Sequence, residues 1–274
     1  MAEQASVSVI IPCYRCSDTI ERAVVSIAAQ TLLPVEVILV DDCSGDETLD
    51  VLKGLQRDYP EGWLKVLPQP VNNGPGSARN AGWEVATQPY IAFLDSDDAW
   101  HPQKIEIQYL WMRLHPEVAL TGHACRHIKG SDESNANQIY ETSQAKFKLV
   151  SKARLLVSNQ FSTPSVMLRR ELSQRFLHGK RYGEDYLLWC EICCSGMTCY
   201  LSELPLAYLF KSRYGAGGLS GELRRMEEGE IDAYQCLHAK QYYGFGTFVF
   251  VAGLSWMKYF RRLFKVKFLG FGTS

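Results

Sequence analysis

The sequence predicts an α/β fold in which a mostly parallel sheet is covered by helices on both faces. Four short apolar runs in the first hundred residues are predicted strands: Ser6 to Ile11, Val35 to Val40, Leu64 to Leu67 and Tyr90 to Leu94. They are nearly continuous rather than alternating, which is typical of strands buried on both faces. Segments with helical spacing separate them, and such crossovers join parallel strands.

The intervening helices follow from the spacing of apolar residues. Asp18 to Gln30 places Ile20, Val24 and Ile27 on one face. Further helices are predicted over Thr48 to Leu55, Gly76 to Ala86 and Lys104 to Leu114, and a further strand over Val118 to Gly122. The polar stretch from Ser131 to Gln144 is compatible with a mobile loop near a substrate, and at least as well with a plain surface insertion.

Length and composition limit the class of protein. A chain of 274 residues, 46% of them hydrophobic, suits one large domain or two closely packed halves. The net charge of −1 gives no global basic surface for nucleic acid. The N-terminal residues have neither a basic stretch nor a long apolar one, so we expect no signal peptide. The expected lack of a signal peptide and the odd number of cysteines, nine, together favour reduced thiols in the cytoplasm.

Acidic clusters follow two of the predicted strands. Asp41 and Asp42 follow the second strand, and Asp95, Asp97 and Asp98 follow the fourth. The carboxyl ends of parallel strands form the ligand-binding edge of such sheets. Turn and helix-cap roles account for one carboxylate per turn, but not for three within four residues. Hard oxygen ligands so close together indicate a divalent cation, Mg²⁺ or Mn²⁺.

A glycine-containing segment precedes the third helix. Gly74 and Gly76 allow close approach of the backbone to a ligand, the helix start favours anions, and Arg79 adds a positive charge. A helix beginning with Pro75 needs no ligand. The segment is not a dinucleotide fingerprint, because Arg79 stands where the third glycine is required.

These segments together resemble glycosyltransferase family 2. The motifs that carry the resemblance, in the family's order, are Val9-Ile10-Ile11-Pro12-Cys13-Tyr14, Gln30-Thr31, Glu36 to Asp42, Gly74 to Gly82 and Ile91 to Asp98. Arg15 stands where the family usually has asparagine. The resemblance implies the A-type glycosyltransferase fold, with a nucleotide-sugar-binding half at residues 1–100, an acceptor-binding and catalytic-base half at 101–220, and a C-terminal helical tail at 221–274.

The resemblance also implies a donor site for a nucleoside-diphosphate sugar, a UDP-sugar by family habit. Tyr14 is expected to face the nucleobase and Asp42 to accept hydrogen bonds from the base edge. The implied metal ligands are Asp97 and Asp98, with Asp97 favoured. The implied donor-binding residues from these motifs are Pro12, Tyr14, Asp42, Arg79 and Asp95.

A second acidic motif lies in the later half of the chain. Glu184 and Asp185 precede an apolar run, a pattern that helix capping alone can explain. With Trp189 they resemble the motif that supplies the general base in inverting members of the family. The resemblance implies Asp185 as the base and Glu184 as an acceptor-binding or orienting group. A single displacement assisted by such a base inverts the anomeric centre.

The segment from Leu206 to Ser220 is basic, aromatic and rich in glycine. Lys211 or Arg213 is a candidate to pair with the donor diphosphate in a closing loop. An ordinary surface loop explains the composition equally well.

The C-terminal segment has the pattern of an amphipathic helix. No acidic residue follows Asp232. Helical spacing places Lys258, Arg261, Arg262 and Lys265 on one side, and Trp256, Tyr259, Phe260, Leu263 and Phe264 on the other. This is typical of a helix in an anionic membrane interface, so we predict peripheral attachment to the cytoplasmic face, which suits a saccharide or lipid-linked saccharide acceptor in surface polysaccharide assembly. The alternative is a helix packed on the protein body with a solvated basic face.

Two other functions fit the sequence less well. A sugar-phosphate nucleotidyltransferase would carry a glycine-rich basic loop after the first strand, where Pro12 to Cys16 stand instead. A non-catalytic nucleotide-sugar-binding protein would be expected to lose the base or the metal carboxylates, and both are present.

Overall fold

The computed structural model describes residues 3–128, 138–141, 145–210 and 222–269, with side chains up to Phe264. Its strands are β1 (Ala5–Cys13), β2 (Pro34–Asp41), β3 (Leu64–Pro68), β4 (Tyr90–Phe93), β5 (Ala99–Trp100), β6 (Val118–His127), β7 (Phe147–Leu149), β8 (Met167–Arg169) and β9 (Thr198–Leu209). Its α-helices are α1 (Ile20–Ala28), α2 (Thr48–Asp58), α3 (Pro75–Val85), α4 (Lys104–Leu114), α5 (Lys152–Val157), α6 (Glu184–Cys194), α7 (Leu223–Ala239) and α8 (Phe245–Leu269). The segment from Ser131 to Gln144 falls mostly outside these ranges.

One sheet runs through both of the predicted halves. Its order is β3-β2-β1-β4-β8-β6-β9-β5, and β7 pairs with β9. The first four strands are mutually parallel, β8 is antiparallel to both β4 and β6, and β6 is parallel to β9. The predicted α/β fold with a mostly parallel sheet is confirmed.

Apolar layers cover both faces of the sheet. Consecutive residues of a strand point to opposite faces, so Ile10 belongs to the layer under α3 and α6, and Ile11 to the layer under α1 and α4. In the first layer the rings of Trp83 and Trp189 lie 5.8 and 6.2 Å from that of Phe93. The buried Trp189 thereby fixes α6, and with it the acidic pair at its start, against the sheet.

Helix α3 approaches the sheet closely because Gly82 faces it. A Cβ atom at Gly82 would lie 2.6 Å from Cγ2 of Ile10 and 3.1 Å from Cγ2 of Val40. Any larger residue would push the helix away from β1 and β2. Since Arg79 lies one turn earlier, this contact sets how far its guanidinium reaches over the strand ends.

The cysteines take no part in cross-linking. All nine lie in the described ranges and are free thiols. Cys190, Cys193 and Cys199 are buried in the packing around α6, and Cys194 is half-buried. Within the same ranges, no helix is both long enough and apolar enough to cross a membrane.

Candidate active site

A cavity of about 750 Å³ opens at the carboxyl ends of the parallel strands. Strand β1 lies between β2 and β4, so the segments that follow all three strands meet there. The start of α6 also lines the cavity. The cavity is lined by nine of the residues expected from the sequence, namely Pro12, Tyr14, Asp42, Arg79, Asp95, Asp97, Asp98, Glu184 and Asp185. The two remaining donor candidates, Lys211 and Arg213, lie outside the described residues.

Asp42 supports the glycine-containing segment. Its Oδ1 accepts a hydrogen bond from the backbone N–H of Asn73 (3.0 Å), and its Oδ2 accepts one from the N–H of Gly74 (2.8 Å). Burial raises the pKa of this carboxyl group, although both N–H donors act in the opposite direction. Each oxygen keeps a second lone pair, so Asp42 can hold the loop and still accept from a ligand.

Tyr14 provides an open aromatic surface at the end of β1. Its side chain is 46% exposed at the cavity wall. The guanidinium of Arg15 lies 5.4 Å from the ring centre, and the Arg15 backbone is held by the Ser44 hydroxyl. A planar group entering the cavity can therefore stack on Tyr14 without displacing a packed side chain.

Arg79 is a buried cation between two carboxylates. Its Nη2 donates to Oδ1 of Asp95 (2.7 Å) and its Nη1 donates to Oε1 of Glu184 (3.1 Å). The side chain is only 5% exposed and also lies over the ring of Phe176. Burial acts to lower its pKa, but the two carboxylates outweigh burial and raise it. Arg79 thus joins the acidic segment after β4 to the acidic start of α6.

The acidic pair of α6 is held from several sides. The hydroxyl of Thr163 donates to Oδ2 of Asp185 (3.1 Å), and the backbone N–H of Tyr186 donates to Oδ1 (2.7 Å). Burial raises the pKa of Asp185. Burial, and then the negative charge of Asp185, raise the pKa of Glu184 from its ordinary 4.5 to about 7, against the pull of Arg79. One of the two carboxyl groups therefore changes charge near neutral pH.

The carboxylates after β4 differ in their surroundings. Asp97 is half-buried at the cavity wall. Asp98 is 6% exposed, and its Oδ1 accepts from the backbone N–H of Phe210 (3.3 Å). Arg22 donates to the backbone oxygen of Asp97 and lies 3.9 Å from the ring centre of Phe210. These contacts fasten the acidic segment to the end of β9.

No cage of protein ligands for a metal forms in the part of the chain that the structure describes, where no group of three or more histidine, cysteine, aspartate or glutamate side chains is arranged around one point. A magnesium-type cation does not require such a cage. It is usually held by one or two carboxylates together with substrate phosphates. The carboxylates of Asp97 and Asp98, which both line the cavity, fit that mode of binding.

Sequence reasoning missed several cavity residues. Arg181 is exposed at the rim and donates to Oδ1 of Asn72, so it adds a cation beside the glycine-containing segment. Thr163 lies in a short 3₁₀ turn whose only sequence signal was Pro164. His127 also lines the cavity, because β6 extends five residues beyond Gly122, where the predicted strand ends.

Replacing Glu184 by glutamine is expected to change how stability depends on pH. The pKa of Glu184 is higher in the folded protein, so the folded state binds more protons between pH 4.5 and 7, and the free energy of unfolding falls as pH rises through that range. Glu184→Gln lacks this fall, so its stability relative to wild type improves by about 3 kcal/mol from pH 4.5 to 7.5. Urea unfolding at both pH values measures the change. Glu61→Gln, at an exposed site, is the control. If the stabilities of wild type and Glu184→Gln change in parallel between the two pH values, the prediction is contradicted.

The mostly parallel sheet, the acidic segments at its strand ends and the acidic start of α6 that Arg79 joins to them define a glycosyltransferase of the A-type fold. The chain belongs to glycosyl transferase family 2, whose sequence profile matches residues 8–177. The resemblance inferred from the motifs is confirmed.

Proteins of similar sequence include other glycosyltransferases. The UDP-Glc:alpha-D-GlcNAc-diphosphoundecaprenol beta-1,3-glucosyltransferase WfgD from Escherichia coli is 31% identical over 188 residues, which is 68% of this chain and 69% of that protein. An uncharacterized glycosyltransferase from Nostoc is 42% identical over 100 residues, 36% of this chain, and the chain spans only 30% of that relative's length.

The structures share the fold. TarS from S. aureus in complex with UDP-GlcNAc has a TM-score of 0.64 at 22% identity, covering 84% of this chain and 65% of that one. The mannosyltransferase PcManGT from Pyrobaculum calidifontis in complex with GDP-Man and Mn²⁺ has a TM-score of 0.61 at 18% identity, covering 93% of this chain and 74% of that one.

Proposed function

We propose that the protein is an inverting transferase that moves a hexosyl or hexosaminyl group from a UDP-sugar to an acceptor hydroxyl. The observation that carries the proposal is the bridge made by Arg79, which contacts Asp95 on the donor side and Glu184 beside the candidate base. A donor and an acceptor bound on the two sides of this bridge would meet in one cavity.

The donor would occupy the strand-end side of the cavity. Pro12 and the open ring of Tyr14 suit the nucleobase, and Asp42 has lone pairs left for the base edge. Asp95 would contact the ribose or the sugar, and Arg181, Lys211 and Arg213 would offer cations to the diphosphate. A uridine donor is supported by the names of WfgD and of the TarS complex, although PcManGT was solved with GDP-Man.

A divalent cation, Mn²⁺ or Mg²⁺, would be held by Asp97 and Asp98 together with the donor phosphates. One oxygen of Asp98 also accepts from the backbone N–H of Phe210, which fastens this segment. When bound, the cation would offset the negative charge that grows on the departing nucleoside diphosphate. The Mn²⁺ in the PcManGT complex supports a metal in this kind of site.

Asp185 would act as the general base. It lies at the cavity wall, and Thr163 fixes one of its oxygens. The carboxylate would accept the proton of the acceptor hydroxyl as that oxygen attacks the anomeric carbon, on the face opposite the leaving group. One such displacement inverts the configuration. Glu184 would orient the acceptor.

The acceptor would be a saccharide, or a lipid-linked saccharide, in polysaccharide or glycolipid assembly, as the name of WfgD suggests for that relative. A lipid-linked acceptor lies at a membrane, so we also propose peripheral attachment to the cytoplasmic face through α8. The test of this attachment is co-sedimentation of the full chain with lipid vesicles.

The reaction is tested by release of nucleoside diphosphate across a panel of donors, with Mn²⁺ and with a chelator. We expect turnover with one UDP-sugar, lowered about 100-fold or more by chelation and by Asp97→Ala, because the metal contribution is worth several kcal/mol. Asp46→Ala, an exposed carboxylate outside the cavity, should have no effect.

Metal-dependent donor binding with no turnover in the presence of any saccharide acceptor would instead indicate a nucleotide-sugar-binding protein. Turnover that chelation leaves unchanged would contradict the metal, and the absence of donor binding would contradict the whole proposal.

A further inference from the structure

The face of α8 that points away from the protein is apolar. The exposed side chains include Phe250 (60%), Met257 (62%) and Phe260 (60%). At about 100° per residue they lie, with three more exposed apolar residues, within about 120° around the helix axis. We call this surface the α8 face, and its members are Val249, Phe250, Trp256, Met257, Phe260 and Phe264.

Two basic side chains of α8 point toward the protein instead. Lys258 donates to the backbone oxygen of Val157, and Arg262 donates to Oε2 of Glu227 in α7 (3.1 Å). Glu227 is only 1% exposed, so its carboxylate anchors Arg262 to the protein body. The helix therefore packs on the body, as the alternative expectation had it, but with Lys258 and Arg262 turned inward. Arg261 is exposed beside the α8 face.

The surroundings of the α8 face favour a lipid bilayer as its occupant. Trp256 lies among aliphatic and phenyl groups, a mixture suited to the boundary between headgroups and acyl chains. No acidic residue occurs after Asp232, so no carboxylate of this segment would meet lipid phosphates, whereas Arg261 could pair with one.

The α8 face is also connected to the cavity by α7. Met226 lines the cavity, and the next residue, Glu227, holds Arg262 of α8. A bilayer on the α8 face would thus lie on the α7 side of the cavity, where an acceptor carried by a lipid could enter.

We propose that the α8 face inserts into the bilayer interface and that burial of its apolar side chains, rather than attraction to anionic lipid, provides most of the binding. This inference rests on the peripheral attachment proposed above, and it names the surface and the force. Aromatic and aliphatic groups gain free energy on leaving water whatever the headgroup charge, whereas attraction to anionic lipid is screened by salt.

The test is co-sedimentation of the full chain with vesicles of phosphatidylcholine alone, and of phosphatidylcholine with phosphatidylglycerol, at low and high salt. We expect wild type to bind both vesicles, with an affinity that high salt changes by less than about threefold. The double variant Trp256→Ser/Phe260→Ser should bind at least about tenfold more weakly to both. Leu114→Ser, which removes a 78% exposed leucine at the end of α4, is the matched control and should bind like wild type.

Substitutions are preferable to deletion from Trp256 onward, because deletion removes Arg262 and leaves the buried Glu227 unpaired. Thermal unfolding of the double variant should match wild type, since both side chains are exposed.

Binding to anionic vesicles alone, with loss of that binding at high salt, would overturn the apolar mechanism while supporting attachment. No binding to either vesicle would overturn attachment too, without touching the proposed reaction. Self-association of wild type that the double variant loses, with no vesicle binding, would assign the α8 face to a second copy and overturn the inference.

Discussion

Asp185→Asn is expected to lower kcat by about 10²- to 10⁴-fold, the range typical of a general base, and to leave the fold intact. Asparagine has the size of aspartate: its oxygen can accept from the N–H of Tyr186 while its amide group donates to the Thr163 hydroxyl, but it cannot take up a proton. Burial already disfavours the charged form of Asp185, as the raised pKa indicates, so removing the charge should not destabilise the protein near neutral pH. Release of nucleoside diphosphate under saturating donor and acceptor measures the effect.

The control for this substitution is Asp50→Asn, an exposed aspartate in α2 away from the cavity, which should retain wild-type kcat. Donor binding, measured by displacement of a labelled nucleotide, should be unchanged in Asp185→Asn if the residue acts only in the chemical step. A kcat within about threefold of wild type would remove Asp185 from the role of base, and a loss of donor affinity equal to the loss of rate would assign it to binding instead.

The first half of the fold could be predicted well because its signals are local. Buried parallel strands are continuous apolar runs, and their crossover helices repeat every 3.6 residues. The helix Lys104–Leu114 has the predicted bounds, and the predicted strands differ from β1 to β4 by at most two residues at either end. Once the strands are parallel, their carboxyl ends must lie together, so the sequence alone places Asp42 and Asp95 at one edge.

The contacts across the cavity could not be predicted, because they join residues far apart in the chain. Arg79 and Glu184 are 105 residues apart and meet only because α3 and α6 pack on the same face of the sheet. Thr163 and Arg181 carry no local pattern that distinguishes them from other turn and surface residues. Strand β6 continues past Gly122 because β9 pairs with it through register shifts, which the apolar pattern of one strand does not record.

The orientation of the C-terminal helix also depends on a contact that its own sequence does not reveal. Its sequence separates a basic side from an apolar side but does not say which one meets the protein. The deciding group is Glu227, a buried carboxylate in α7 that needs a cation and takes Arg262. For a helix packed on the protein body, the hydrophobic pattern alone would have turned the apolar side inward.

Arg79→Met is expected to have the largest effect on stability of any single substitution in the cavity. It leaves Glu184, which is 9% exposed, and the partly exposed Asp95 without their common cation. Removing one partner of a buried ion pair costs about 3–5 kcal/mol. The cost should be greater at pH 8 than at pH 5. The pKa of Glu184 is already raised, so at pH 5 this carboxyl group binds a proton and is no longer an unpaired buried charge, whereas at pH 8 it stays charged. Urea unfolding at the two pH values measures both effects.

Two further variants make this prediction specific. Arg224→Met breaks an exposed helix pair with Glu228, in which the two side chains are 84% and 55% exposed, and should cost less than about 1 kcal/mol. Arg79→Met/Glu184→Gln removes one unpaired carboxylate with the cation, so it should recover part of the stability lost in Arg79→Met. If Arg79→Met unfolds no more easily than Arg224→Met, the guanidinium does not hold the two acidic segments together. If the double variant recovers nothing, the cost comes from lost packing against Phe176 rather than from unpaired charge.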